Sequence, residues 1–185
     1  MTIISLKLLA HFLNTYPQKG LMADYGGTDA IGGEIVGKML SLEGVNVEEG
    51  DRSQKINLFV NGSKEKDIVP EYHVLDYDNG VDLLKPISGE KFDAGICMDL
   101  LEHTSNPFLV AKNIGDSLKK GAYFFVTVPW IWELHYHPKD YWRFTPQGLK
   151  ELFPEMEEIL TETIRDPEPE EKLPRARIVA IFKKI

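Results

Sequence analysis

The sequence predicts an α/β fold: a mostly parallel sheet with helices on both faces and a C-terminal antiparallel hairpin. Three observations support this prediction. Strand and helix signals alternate along the chain, as they do when crossover helices join parallel strands. The middle strands, "KFDAGICM" and "AYFFVTVPW", are almost continuously apolar, which indicates burial on both faces. The last two strands have no helix between them, which is typical of an antiparallel pair.

Composition indicates one ordinary globular domain spanning residues 1–185. The chain is 43% hydrophobic and 27% charged, and its single cysteine, Cys97, excludes an internal disulfide. No run reaches the roughly 20 apolar residues of a membrane span, and no signal cleavage site follows the N-terminus. We therefore expect a soluble, cytoplasmic protein. The net charge of −8 and the lack of a Lys/Arg stripe argue against a nucleic-acid partner.

The first elements are a helix within residues 1–19, a strand and a second helix. Ile4, Leu8 and Phe12 repeat at helical spacing. "GLMADYGG" then indicates a strand that opens into a turn, and "DAIGGEIVGKMLSL" has helical spacing despite its glycines. The polar stretch "EGVNVEEGDRSQ" is predicted to be a surface loop, part of an insertion or irregular segment over residues 44–70.

Three further strand candidates follow: "KINLFV", "EYHVLDYD" and the short "VDLL". A helix then begins with Asn106 as its N-cap and Pro107 as its first residue. Its last turn is predicted to hold Lys119 and Lys120, with Gly121 as the stop. After the "AYFFVTVPW" strand, "TPQGLKELF" starts another helix. The strands "EEILTETIR" and "RARIVAIFKK" close the chain around a solvated "DPEPEEKLP" loop.

Candidate ligand-binding residues come directly after the predicted strands, because ligands of open α/β sheets bind beyond the carboxyl ends of the strands. Asp24, Gly26, Gly27 and Thr28 follow the first strand, where paired glycines let a ligand approach the backbone; a tight turn explains the same letters. Asp76 follows "EYHVL" and is placed to accept hydrogen bonds from a ribose diol. Its alternative role is that of a turn residue ahead of Asn-Gly.

A longer pattern resembles a known family. The stretch "FDAGICMDLLEHTSNPFLVAKNIGDSLKKGAYFFVTVP", with its "LEH" turn, and the later "HPKDYWRFTPQGLKELF" are similar to the class I S-adenosylmethionine-dependent methyltransferases, type 11-like branch. The resemblance covers residues 20–153 in order and is most specific over 92–153. It implies a Rossmann-like methyltransferase fold, with a doubly wound, mostly parallel sheet of the seven-stranded type, a transferase activity and S-adenosylmethionine as the cofactor.

The resemblance also implies roles for individual residues. Most of them would surround the cofactor: Asp24, Gly26, Gly27 and Thr28 beside the methionine part, Asp76 at the ribose, and Met98 and Asp99 beside the adenine or methionine part. His103, in the "LEH" turn, would lie near the mouth of the active site.

The sequence departs from the family pattern in two places. The glycine loop reads "DYGGTD" where the family more often has D-x-G-x-G-x-G, and the interval from Gly27 to Asp76 is longer than the family's. The extra length is either an insertion or a sign that "KINLFV", ending in Asn61, is the second strand. We favour the insertion, because "VLDYDNGVDLL" then matches the family's second and third strands and leaves Asp76 at the ribose.

The segment 130–145 is predicted to form the acceptor side of the site. It contains "LHYHPKDYWRFT", whose rings and charges exceed what a surface loop requires. We expect His135 and His137, together with His103, to handle the acceptor proton, with no metal ion. Trp130, Tyr141 and Arg143 are the substrate-binding candidates.

Other interpretations of the same segment are structural or metal-binding. Arg143 beside Asp140 suits an ion pair, and Trp142 and Phe144 suit packing. Glu133, His135 and His137 alternate like metal ligands along a strand, although Pro138 interrupts it. The function predicted from the whole is methyl transfer to a small-molecule or sugar-like acceptor. The alternative is a catalytically silent protein of the same fold that binds a nucleotide-like ligand or a partner protein.

Overall fold

A computed structural model describes residues 3–16, 18–27, 30–49, 58–136, 138–165 and 174–185. The helices are α1 (Ile3–Thr15), α2 (Ala30–Ser41), α3 (Pro107–Ser117) and α4 (Pro146–Leu152). The strands are β1 (Leu21–Tyr25), β2 (Leu42–Glu43), β3 (Asn46–Glu49), β4 (Leu58–Asn61), β5 (Lys64–Glu65), β6 (Glu71–Leu75), β7 (Phe92–Met98), β8 (Leu118–Ile131), β9 (Met156–Arg165) and β10 (Ala176–Lys184). Two 3₁₀ turns cover Tyr77–Asn79 and Leu101–His103.

Six of the described strands form one sheet in the order β6-β1-β7-β8-β10-β9. β6, β1, β7 and β8 run parallel, whereas β10 is antiparallel to both of its neighbours. The strand order reverses at β1, which has β6 on one side and β7 on the other. Ligands of open α/β sheets bind at such a switch point, at the carboxyl ends of the strands.

Helices cover both faces of this sheet, as predicted. Buried side chains of α1 and α2 pack on one face, including Phe12, whose ring lies 5.4 Å from that of Phe125. α3 and α4 cover the other face with Val110 and Leu149 among their buried residues. Burial of one such side chain stabilises the fold by about 1.5–3 kcal/mol. The two helical layers therefore fix the sheet, including the edge formed by the carboxyl ends of its parallel strands.

The predicted third strand, "VDLL", is wrong. Asp82 forms a turn in which its carboxylate accepts from the Leu84 backbone N–H at 3.0 Å and its carbonyl accepts from that of Lys85 at 2.9 Å. This local bonding competes with strand pairing and outweighs the short apolar run. The described main sheet therefore has six strands rather than seven, and β6 lies at its edge.

The predicted end of the third helix is also wrong, because α3 ends at Ser117. Leu118 pairs with Phe92 on β7, so Lys119 and Lys120 belong to β8. Gly121, with φ of +87°, lies where the β7–β8 register shifts and forms a bulge rather than a helix stop.

The segment 44–70 contains two small hairpin pairings in its described part. β3 pairs with β4 and β2 pairs with β5, each apart from the main sheet. The predicted surface loop thus contains a strand, because Val47 is buried against Val60 and the α1 side of the core. The "KINLFV" alternative fails in its described part, 58–60, and β6 is the neighbour of β1.

Candidate functional site

The carboxyl ends of β1 and β6 bring two predicted acids to one edge of the sheet. Asp24 is 5% exposed, and its carboxylate accepts a hydrogen bond from the Tyr72 hydroxyl. Tyr72 on β6 pairs with Met22 on β1, which lies two positions before Asp24. The side chains of Tyr72 and Asp24 are therefore diagonal neighbours on one face of the sheet. Burial, and then the negative charge of Asp24, raise the pKa of Tyr72 well above its usual value. Tyr72 therefore stays protonated and donates to Asp24.

The turn after β1 requires glycine at two positions. Gly26 has φ of +82°, donates its N–H to Leu75 at 2.9 Å, and would place a Cβ 2.6 Å from the Leu100 side chain. A Cβ on Gly27 would lie 2.6 Å from Cγ of Asp24. The backbone thus lies directly against the Asp24 carboxylate, which leaves no room for a side chain at position 27. Thr28, predicted to belong to this loop, lies outside the described residues.

Asp76 follows Leu75, the β6 residue paired with the last residue of β1. It is 6% exposed, and its Oδ1 caps the following 3₁₀ turn by accepting from the Asp78 N–H at 2.8 Å. Among the described residues, its Oδ2 accepts no hydrogen bond. The capping role and the ribose role are therefore compatible, since they use different oxygens.

Met98 ends β7 and Asp99 directly follows it, but the Asp99 side chain is bound by groups of the protein itself. Its carboxylate accepts from Thr127 at 2.9 Å and from the Arg177 guanidinium at 3.0 and 3.1 Å. The same Arg177 nitrogen donates to Ser5 at 2.8 Å. Asp99 has φ of +52°, a left-handed conformation that few residues other than glycine adopt. Asp99 therefore shapes the strand end through a buried ion pair.

Arg143, a predicted substrate-binding residue, binds groups of its own loop. Its guanidinium binds both oxygens of Asp140, at 2.5 and 2.7 Å, and donates to the carbonyls of Trp132, Glu133 and Trp142 at 2.7–3.2 Å. These five bonds use every N–H of a guanidinium, so none remains for a ligand. The Arg143 hydrogen bonds hold the pKa of the Asp140 carboxyl below its usual range despite desolvation. The predicted Arg143–Asp140 ion pair is present.

Three hydrogen bonds join the "LEH" turn to the segment after β8. Tyr141 N–H donates to the Glu102 carbonyl at 2.7 Å, and the Trp142 indole donates to the Thr104 carbonyl at 2.8 Å. His103 Nδ1 lies 2.6 Å from the Lys139 carbonyl oxygen. Backbone groups far apart in sequence thus place the two predicted histidine regions side by side.

His103 and His135 meet over the buried carboxylate of Glu102. Their ring centroids are 4.9 Å apart, and their Nε2 atoms lie 3.7 and 4.0 Å from Glu102 Oε1. Glu102 is fully buried, and neither carboxylate oxygen has a hydrogen-bond partner in the described part of the chain. Burial, and then the charge of Asp99, raise the pKa of Glu102 to about 8.

The predicted Glu133–His135–His137 metal set does not form among the described residues. The Glu133 side chain is 61% exposed and pairs with Arg175, whereas His137 lies outside the described residues. His135 faces Glu102 instead. Its role as a proton acceptor, like that of His103, remains a prediction.

The predicted aromatic contacts divide into exposed and buried groups. Trp130 and Tyr141 are 38% and 46% exposed, so both present ring surface to solvent. Phe144 is buried in the core beneath α3 and α4, as the packing interpretation expected. Trp142 is partly exposed and is fixed by its bond to the Thr104 carbonyl.

Sequence reasoning missed three residues of this edge: Glu102, Asp140 as a partner of His135, and Tyr72. His135 Nδ1 lies 3.1 Å from Asp140 Oδ2. The position of Glu102 directly after a buried strand and beside His103 was the available signal. The contacts of Asp140 and Tyr72 depend on how separate segments fold together, which no local pattern shows.

Comparison with solved structures places this geometry in a known fold. N-methyltransferase NodS of Bradyrhizobium japonicum, solved with S-adenosyl-L-homocysteine, aligns with a TM-score of 0.56 at 9% identity over 98% of this chain and 86% of its own. The [4+2]-cyclase SpnF aligns at 0.61 and 13% identity, over 97% of this chain and 82% of its own. A S-adenosylmethionine-dependent methyltransferase of Methanosarcina mazei aligns at 0.53 and 14% identity, over 95% and 97%.

These similarities establish the fold. The chain has the Rossmann-like fold of class I S-adenosylmethionine-dependent methyltransferases, which confirms the predicted fold class. No protein-family model and no curated protein matches the sequence. None of the described helices has the length and hydrophobicity needed to cross a membrane.

Proposed function

We propose that the chain binds S-adenosylmethionine at the carboxyl ends of β1 and β6 and transfers its methyl group to a small-molecule or sugar-like acceptor. The observation that carries the proposal is a pair of buried acids at the switch point of the sheet. Asp24 lies near the end of β1, and Asp76 directly follows β6, the parallel neighbour of β1. The Gly26–Gly27 turn lies between them against Asp24. A carboxylate at the end of such a strand is placed to accept from a ribose diol.

The acceptor side is formed by the segment after β8. When bound, S-adenosylmethionine supplies a methyl group on a positively charged sulfur. The exposed side chains of Trp130 and Tyr141 would contact a small acceptor and restrict its orientation. His135 or His103, beside Glu102, accepts the proton that an acceptor hydroxyl loses as its oxygen takes the methyl group. The acidic chain disfavours long polyanions as acceptors.

The second candidate is a protein of this fold that binds the nucleotide without transferring a methyl group. Two observations favour it. Asp24 already accepts from Tyr72, so ligand binding has to share or displace that bond. SpnF, a [4+2]-cyclase, has the same fold, and a fold by itself does not prescribe a reaction.

Isothermal calorimetry with S-adenosylhomocysteine and S-adenosylmethionine tests the proposal. The variant Asp76→Asn keeps an oxygen that caps the 3₁₀ turn but loses the carboxylate charge, and Asp78→Asn, on the exposed side of that turn, is the matched control. A hydrogen bond to a charged group contributes about 1.5–3 kcal/mol. We therefore expect micromolar binding to the wild type, at least about tenfold weaker binding to Asp76→Asn, and no change in Asp78→Asn.

Each other result has a definite meaning. No binding to the wild type refutes the proposal. Binding that survives Asp76→Asn moves the ribose contact to another residue. Binding without methyl transfer to any of a panel of hydroxyl, carboxyl and amine acceptors favours the second candidate.

A further inference from the structure

We propose that Glu102, His103 and His135 form a binding site for a divalent transition-metal ion of the zinc class. One ligand atom from each of the three residues lies within 4.8 Å of the other two. Two imidazoles and one carboxylate are the ligand set of catalytic zinc sites, which keep a position open for water or substrate. The proposal concerns ion binding and does not depend on methyl transfer.

The buried carboxylate of Glu102 is the first argument. It is fully buried, and both of its oxygens lack a hydrogen-bond partner in the described ranges. Such a group costs free energy unless something compensates it. Among the described residues, the two imidazole Nε2 atoms lie 3.7 and 4.0 Å from Glu102 Oε1, which is beyond hydrogen-bond length. An ion among the three groups compensates the carboxylate.

The second argument is the orientation of the imidazoles. His103 Nδ1 lies 2.6 Å from the Lys139 carbonyl oxygen, which only accepts, so Nδ1 carries the proton. His135 Nδ1 likewise faces acceptors, Asp140 Oδ2 at 3.1 Å and the Glu133 carbonyl oxygen at 3.3 Å. A proton on Nδ1 leaves the Nε2 lone pair of each ring directed toward Glu102. Carbonyl and carboxylate partners at the other nitrogen are the usual support of metal-binding histidines.

The third argument is that the two imidazoles are held rigidly and are still accessible from solvent. Asp140, whose side chain is fully buried, is held by Arg143 while it accepts from the His135 backbone N–H at 2.8 Å. The His103 and His135 side chains are 14% and 27% exposed, so an ion between them reaches solvent on the acceptor side. The rings have to close by less than about 2 Å to reach zinc–ligand distances of about 2.0–2.2 Å. With the ion bound, the Nε2 lone pairs of His103 and His135 would serve as metal ligands and not as proton acceptors, and in the proposed methyl transfer an acceptor oxygen bound to the ion would lose its proton more readily.

Metal titration tests the site without any nucleotide present. Protein dialysed against EDTA is titrated with Zn²⁺ by calorimetry, and the bound metal is counted by elemental analysis. We expect one ion per chain in the wild type and at least about tenfold weaker binding in Glu102→Gln and His135→Gln. The control is His73→Gln, which alters a surface histidine that pairs with Glu71 at 2.9 Å, and it should bind as the wild type does.

Several outcomes overturn the proposal. They are no Zn²⁺ binding to the wild type, binding unaffected by both site variants, and binding lost in His73→Gln. If Glu102→Gln does not fold, Co²⁺ bound to the wild type decides: visible absorption bands of a four- or five-coordinate ion support the site, and the spectrum of hexaaqua Co²⁺ overturns it. Because no nucleotide enters this assay, its failure leaves S-adenosylhomocysteine binding as a separate result.

Discussion

The contact between Gly27 and Asp24 gives the sharpest prediction about the nucleotide edge. In Gly27→Ala, the new Cβ would lie 2.6 Å from Asp24 Cγ, whereas ordinary contacts begin at 3.4 Å. The carboxylate or the backbone must therefore move by about 0.8 Å. Asp24 is buried and bonded to the Tyr72 hydroxyl, so it has little freedom to do so. Forced packing of this kind costs about 1–3 kcal/mol.

The same substitution at Gly37 is the matched control. A Cβ there meets no atom within 4 Å, and the residue lies inside α2. Replacing a helical glycine with alanine stabilises by about 0.5–1 kcal/mol. For a chain of this size, 1 kcal/mol shifts the melting temperature by about 2–4 °C. Thermal unfolding followed by circular dichroism should thus show Gly27→Ala melting about 2–12 °C lower and Gly37→Ala about 1–4 °C higher.

A double variant isolates the cause. Combining Gly27→Ala with Asp24→Ala removes the group that the new methyl meets, so the penalty of Gly27→Ala should disappear in the Asp24→Ala background. S-adenosylhomocysteine affinity should fall in Gly27→Ala and stay unchanged in Gly37→Ala. The described turn geometry is incorrect if Gly27→Ala has the same melting temperature as the wild type. It is also incorrect if Gly27→Ala still lowers the melting temperature in the Asp24→Ala background.

Two further substitutions test contacts around the edge, and a third tests an ion pair at the opposite end of the sheet, where β7 begins. Arg143→Lys keeps the positive charge but loses the five hydrogen bonds of the guanidinium. The backbone amides of residues 138–144 should therefore exchange faster in hydrogen-exchange mass spectrometry. Unchanged exchange would contradict the role of Arg143 in holding this loop. Arg177→Met leaves Asp99 without its buried partner, so the free energy of unfolding measured in urea should fall by about 2–4 kcal/mol. An unchanged free energy of unfolding would show that the pair does not stabilise the fold. Burial raises the pKa of Asp93, but bonds from Lys119 and a backbone N–H outweigh it and lower the pKa below 3.8. The stability that Asp93 adds is present above that pH and lost below it, so Asp93→Asn should be less stable near pH 7 and converge with the wild type in acid.

Local signals predicted helix starts correctly, whereas helix and strand ends depended on tertiary pairing. Asn106 and Thr145 cap α3 and α4 as expected, accepting backbone N–H bonds at 3.1 and 3.0 Å. The end of α3 was missed because Leu118 leaves the helix to pair with Phe92. No pattern within 107–121 reveals that partner, since lysines followed by glycine also suit a helix end.

The positions of the acids at the strand ends were more predictable than the contacts of the segment after β8, for a related reason. Asp24 and Asp76 owe their positions to strand ends, which apolar runs predict. Beyond its predicted pair with Asp140, Arg143 has three backbone carbonyls among its five acceptors, and carbonyl positions carry no signature in the sequence. Glu102 was missed because what distinguishes it is burial without a hydrogen bond, which appears only in the folded structure.

The Asp99–Arg177 pair lies between the two proposed sites, and its loss should affect them in opposite directions. Asp99 directly follows β7 beside the proposed nucleotide side, and its charge also acts on Glu102 on the acceptor side. Arg177→Met should weaken S-adenosylhomocysteine binding, because the residue that follows β7 loses its partner, and should strengthen Zn²⁺ binding, because the unpaired negative charge of Asp99 attracts a cation. Arg143→Lys should weaken only Zn²⁺, because its contacts lie wholly in the segment after β8. Asp76→Asn should weaken only the nucleotide. Each of the three variants should thus change the affinities for S-adenosylhomocysteine and Zn²⁺ in a different combination. A single shared cause, such as general unfolding, cannot produce that pattern.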